Sequence, residues 1–137
     1  MPNIPVYQLD ANVLPRFLRN DHKEFSPRAK KLIERANAGA ITLEVSAVTV
    51  AEMFYALKAS YHVDRRTAAH TLATVLNTPA FRLPERDRVL DALARVESAN
   101  VDFGDAYLAA AAAKSGTQVA SFDGDLDVFS DVKRHEP

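Results

Sequence analysis

Asp10, Glu52, Asp105 and Asp123 each stand where an apolar, strand-like run gives way to a helix, or on that helix's first turns. In a parallel α/β sheet every helix begins at the edge where the strands end. Four such side chains are therefore expected along one rim, where the ligand sites of open α/β sheets lie. Carboxylates gathered there repel one another, and hard cations placed among them relieve the repulsion. The pattern points to a divalent-metal site with oxygen ligands.

Each residue also has a local reading. Asp10 opens Asp10-Ala11-Asn12-Val13-Leu14, where Asp and Asn both suit a helix start. Read functionally, Asp10 is a ligand at a strand's carboxyl end, and Asn12 shapes the turn behind it. Glu52 follows Thr49 by three residues, the spacing of a capping box. A helix starting at Ser46 would instead carry Glu52 one and a half turns in, aimed along the rim. Asp102 and Asp105 share a helix face. We assign Asp102 as N-cap and support, and Asp105 as the residue that points into the cluster, although the helix dipole alone also favours it. Asp123 directly follows a buried strand, and Asp125 and Asp127 are read as caps of a short helix to Phe129.

Other chemistries fit poorly. Asp123-Gly124-Asp125-Leu126-Asp127 lacks the sixth-position glycine and twelfth-position glutamate of a calcium loop. His22, His62, His70 and His135 are scattered without zinc-ligand spacing. Four glycines form no phosphate-binding loop, no serine sits in a nucleophile elbow, and without cysteine there is no thiolate chemistry.

The elements that must position these residues follow from periodicity and breakers. Val6–Leu9 reads as a strand and Val13–Arg19 as a short helix. Ser26 is expected as N-cap of a helix that opens with Pro27 at its first position and runs through Arg28 to Ala38, with Gly39 closing it and its outer face basic with Arg28, Lys30, Lys31 and Arg35. A second strand spans 41–45 and a helix 49–60. Asp64 caps a helix to about Asn77, a short strand covers 81–83, and a helix runs 85–98. Asp102 caps a helix over 103–115, whose run of alanines, 109–113, calls for a closely packed neighbour. A fourth strand is expected at 118–122 and only a weak edge strand after Ser130. Strands alternating with helices imply a parallel sheet covered on both faces, a single α/β domain over residues 1–137.

Composition sets outer limits. The 137 residues are 47% apolar and 26% charged, normal for a soluble globular protein. No signal peptide or membrane span is evident, so a cytoplasmic protein is the default. The net charge of −1 lacks the basic excess of many nucleic-acid binders, so contact with phosphate would need bound metal and a local basic rim.

Leu9-Asp10-Ala11-Asn12-Val13-Leu14, Ala51-Glu52, Asp102-Phe103-Gly104-Asp105-Ala106 and Ser121-Phe122-Asp123-Gly124-Asp125 follow one another in the order and spacing of PIN-domain proteins, over about 6–132. The chain most resembles the VapC group, toxin ribonucleases of toxin–antitoxin pairs. The resemblance implies a three-layer α/β/α fold with a central, mostly parallel sheet of four to five strands. It implies a divalent-metal-dependent endoribonuclease whose acidic set maps onto Asp10, Glu52, Asp105 and Asp123, with Asp10 and Asp105 the most direct ligands. It also implies homodimers and inhibition by a small antitoxin. Ser121 stands where the family usually has Thr, and Lys133-Arg134-His135 replaces its usual apolar last strand.

On that footing one or two Mg²⁺ ions, or Mn²⁺, are expected, with Asn12, Ser121, Asp102 and Asp125 supporting and Arg16 and Arg19 the candidates for phosphate contact. The rival readings are a metal nuclease or phosphatase acting on DNA or small phosphoesters, and a non-catalytic binding module. For a dimer face the sequence offers Phe54, Tyr55, Tyr61 and Phe81, of which core burial already accounts for Phe54.

Overall fold

The computed structural model describes residues 3–137. Among the described residues are six helices and five short strands, in the order β1 (Val6–Gln8), α1 (Val13–Arg19), α2 (Phe25–Asn37), β2 (Thr42–Glu44), α3 (Ala47–Ala59), α4 (Arg65–Leu76), β3 (Phe81–Arg82), α5 (Arg86–Ser98), α6 (Phe103–Ser115), β4 (Val119–Ala120) and β5 (Arg134–His135), with a 3₁₀ turn at Gly124–Val128. All strand pairs are parallel, as a βα alternation requires, and the architecture is a three-layer α/β/α arrangement. The five strands form two ladders, β1-β2-β3 and β4-β5, where one sheet was expected. The weak terminal strand is real: the Val119 and Ser121 amides donate to the Lys133 and His135 carbonyls at 2.9 and 3.0 Å.

Helix faces explain the core. On α5, Val89, Ala92, Leu93 and Val96 recur at helical spacing and are buried. They meet the small side chains of α6, where Ala106, Ala109, Ala110 and Ala112 are buried. Alanine lets two backbones approach closely, which accounts for the alanine run. Val50, Met53, Phe54 and Leu57 give α3 its inner face, and Leu43 of the middle strand is fully buried.

Two caps differ from expectation. α2 begins at Phe25, so Ser26 lies inside its first turn. There the buried Ser26 hydroxyl donates to the Arg16 carbonyl at 2.7 Å and accepts from the His22 amide at 3.0 Å, tying α2 to α1. The cap is supplied by His22, whose Nδ1 accepts from the Glu24 and Phe25 amides at 3.2 and 2.8 Å. α3 starts at Ser46, which accepts from the Thr49 amide, so the Thr49–Glu52 capping box does not form.

At the carboxyl ends of β1, β2 and β3, Gln8, Glu44 and Arg82 stand in register. Glu44 accepts from Gln8 and from Arg82 Nε at 2.9 Å, bonds that hold its carboxyl below the usual range. One carboxylate near the rim is thereby given over to strand cohesion. Among the described residues no helix is long and apolar enough to cross a membrane.

Candidate active site

Asp10 follows β1 directly, and Glu52 lies six residues after the N-cap of the helix that follows β2. Asp105 sits in the first turn of α6, and Asp123 follows β4. The strands of each ladder are parallel, and α6 leads back into β4, packing against it and against the 3₁₀ turn. Asp105 and Asp123 are therefore neighbours at one end of that layer.

Electrostatics records this. Burial raises the Asp105 carboxyl above its ordinary value, and the negative charges of Asp123, Asp102 and Asp125 raise it further. Asp105 is half-buried, whereas Asp10, Glu52 and Asp123 are exposed.

Each acid is held by a distinct local device. Asp10 is not a helix cap: its Oδ1 accepts from the Asn12 amide at 3.1 Å, a two-residue turn, while Asn12 takes the N-cap position without a side-chain bond. Asp123 is the side-chain cap of the 3₁₀ turn, its Oδ1 accepting from the Asp125 amide at 2.9 Å. The expectation that Asp125 and Asp127 serve as caps is thus corrected. Both lie within the turn, because the strand ends early enough for Asp123 to reach the first free amide. Ser121 Oγ accepts from the Asp123 amide at 2.9 Å, supporting it from behind.

Asp102 occupies the N-cap position of α6 but makes no capping bond. Its carboxylate instead accepts from Lys58 Nζ at 2.6 Å. The Tyr55 hydroxyl takes over at the helix start by accepting from the Gly104 amide at 3.3 Å. Phe54 and Phe81 are buried in the core, and Tyr55 is engaged with α6. The large apolar residues exposed on α3 and α6 are Val48, Tyr55 and Leu108.

Arg16 pairs loosely with Asp21 at 3.8 Å, and Arg19 is exposed at the end of α1. Among the described residues, no three His, Asp or Glu side chains stand close enough together to hold a metal ion. The donor chemistry nonetheless suits a hard divalent cation: the candidates are all carboxylates, and Asp105 is destabilised by burial and by its acidic neighbours.

Sequence reasoning missed the cations that hold this region. Arg134 Nη1 donates to the Ser121 carbonyl at 3.0 Å, while Nε and Nη2 reach Asp127 at 3.0 and 3.1 Å. Arg134 thus grips both sides of the loop that carries Asp123. Arg95 of α5 binds Asp131 at 2.9 and 2.5 Å and lies 5.0 Å from the Phe129 ring centroid. The only advance signal was a departure from apolar pattern at residues 133–135.

The family model for the PIN domain matches residues 7–134 of this chain. No curated protein matches it.

Proposed function

The chain belongs to the PIN domain family, whose members are generally metal-dependent nucleases acting on nucleic acids, and on that premise we propose that it is an endoribonuclease using Mg²⁺, with Mn²⁺ able to substitute. The observation that carries the reading is Asp105: half-buried at the start of α6, and raised in proton affinity by burial and by the negative charges of Asp123, Asp102 and Asp125. A carboxylate in that setting gains most from a divalent cation.

Asp10 and Asp105 are the residues assigned to hold the ion, with Glu52 and Asp123 completing its surroundings or holding a second. When bound, such an ion lowers the pKa of a coordinated water and screens charge on the phosphate. The protein's own contribution is positioning. The Asn12 amide orients Asp10, and the Asp125 amide orients Asp123. Ser121 and Arg134 hold the Asp123 loop, and Lys58 neutralises Asp102 so that its charge bears less on Asp105. Arg16 and Arg19 are assigned to phosphate. Water adds across a P–O bond of the RNA backbone, which breaks to leave a phosphate end and a hydroxyl end.

The finer reading is a VapC-type toxin: a cytoplasmic homodimer over a single domain, held in check by a small antitoxin. It rests on the ordered acidic motifs within the matched region. One observation favours the rival binding module, namely that no three carboxylates among the described residues stand at metal-holding spacing.

The test is cleavage of a mixed tRNA, rRNA and mRNA pool with Mg²⁺, with Mn²⁺, with chelator, and with Asp10→Asn. Discrete fragments that need both metal and Asp10 support the nuclease. Folded, antitoxin-free protein that yields no metal-dependent product and binds no Mn²⁺ in calorimetry leaves the binding module. Cleavage confined to DNA would select the other rival.

A further inference from the structure

Charge is distributed unevenly along this nearly neutral chain. Residues 16–35 hold seven Lys or Arg against three Asp or Glu, leaving ten against fifteen elsewhere. The hairpin of α1 and α2 is therefore a basic unit on an otherwise acidic protein. Between the two helices lies a groove of about 460 Å³ with Val13, Phe25, Ala29 and Leu32 along it and Arg16 and Arg28 among its lining. That volume lies within the usual range for small-ligand sites. Asn12 also borders the groove, and its amide holds Asp10, so one end of the groove abuts the candidate active site.

Phe25 is the notable residue. It is 47% exposed. The His22 ring lies parallel to it at 4.2 Å with an interplanar angle of 8°, and His22 is itself pinned by two backbone amides. The ring is thus held in place and kept partly open. Arg28 lies 5.8 Å from its centroid. The acidic partners of the two arginines are weak competitors: Arg16–Asp21 at 3.8 Å and Arg28–Glu24 at 3.3 Å are solvent-exposed pairs. Phosphate can displace them.

We propose that this groove is a nucleotide subsite for single-stranded RNA, in which a base next to the scissile phosphate lies against Phe25 and Leu32 and its phosphate sits between Arg16 and Arg28. The proposal rests on the nuclease reading above. An apolar floor with guanidiniums among its walls suits a base carrying its own phosphate, because every base has a stacking face and each nucleotide carries one charge. A purely apolar peptide would leave the arginines unanswered, and an acidic one would leave the apolar floor of Val13, Phe25, Ala29 and Leu32 uncovered.

The experiment uses the Asp10→Asn protein, so that binding is read without cleavage, and a fluorescein-labelled single-stranded RNA dodecamer of random sequence, followed by anisotropy across a salt series. Phe25→Ala is expected to weaken binding on the order of tenfold, and Phe25→Trp to retain it. Arg16→Ala/Arg28→Ala should weaken binding and flatten the slope of log K against log salt by about 1.4, roughly 0.7 per lost contact. Thermal melts confirm that the variants fold. If the parent binds RNA and the wild type cuts it, but these variants keep parental affinity and slope, the subsite is wrong and a protein segment becomes the occupant to seek. If the parent binds no RNA and the wild type cuts none, the nuclease reading falls and the subsite with it.

Discussion

Arg95→Met is expected to lower the melting temperature by about 7 °C at neutral pH. The side chain is 11% exposed, joins α5 to the terminal segment through Asp131 and Phe129, and pairs with Asp91 one turn back on its own helix. Methionine keeps the apolar stem and removes only the guanidinium, so the change reads the polar terms. Asp131 and Asp91 are 55% and 43% exposed, and their charges return to water when unpaired. The two-pronged pair with Asp131 then contributes about 1 kcal/mol and the one-turn pair with Asp91 about 0.4 kcal/mol. The cation over the Phe129 ring, largely desolvated, adds about 1 kcal/mol. Together these come to roughly 2 kcal/mol, discounted for the exposure of both acids.

At about 2.1 cal/mol/K per residue, the 137 residues imply an unfolding entropy of about 0.29 kcal/mol/K, hence the 7 °C. The pH dependence has a definite sign. Arg95 holds the Asp131 carboxyl below its ordinary range through hydrogen bonding. That stabilisation is present above the unfolded carboxylate value and lost as pH falls through the lowered native one. The gap between wild type and variant should therefore narrow between pH 5 and pH 2. Differential scanning calorimetry at both ends of that window is the assay. A melting temperature within 2 °C of wild type at pH 7, or a gap that does not change with acid, would refute the reasoning.

Three further outcomes are expected. Asp105→Asn should eliminate metal-dependent cleavage yet raise the melting temperature at pH 7. The native carboxyl is raised by burial and then by its acidic neighbours, so its charge opposes folding above that raised value. The gain should fade as pH falls through it, and a variant less stable at pH 7 would show that Asp105 serves the helix instead. Arg134→Met frees the Ser121 carbonyl and Asp127; kcat should fall while KM for RNA stays near wild type, because the Asp123 loop loses its grip, whereas a raised KM alone would contradict that. Ser26→Ala removes the buried hydroxyl joining α2 to α1 and should cost about 1–3 kcal/mol in urea denaturation; a loss under 0.5 kcal/mol would mean that water replaces it.

Much of the fold was legible because its signals are local. Val13–Arg19 and Phe103–Ser115 appear with their expected bounds, since the breakers and the glycine at 116, with its positive φ of 69°, act within a turn of the chain. The alternation of strands and helices carried the parallel α/β/α architecture, and the four acids at strand-to-helix junctions were visible as a spacing. Caps were less legible. Ser26, Asp102 and Asp127 all look like cap residues, yet each spends its side chain on a distant partner: the Arg16 carbonyl, Lys58 and Arg134. A propensity describes what a residue does when nothing better is nearby, and these partners come close only after the chain folds.

The sequence by itself therefore determined the order of elements, the parallel sense of the strands and the family, all of which depend on neighbours along the chain. Only the tertiary structure decided that the strands divide into two ladders, that Asp105 shares a negative field with Asp123, Asp102 and Asp125, and that Arg134 and Arg95 secure the terminal segment. Burial, field and ion pairing depend on separation in space. Residues dozens of positions apart acquire that separation only when helix packing sets it.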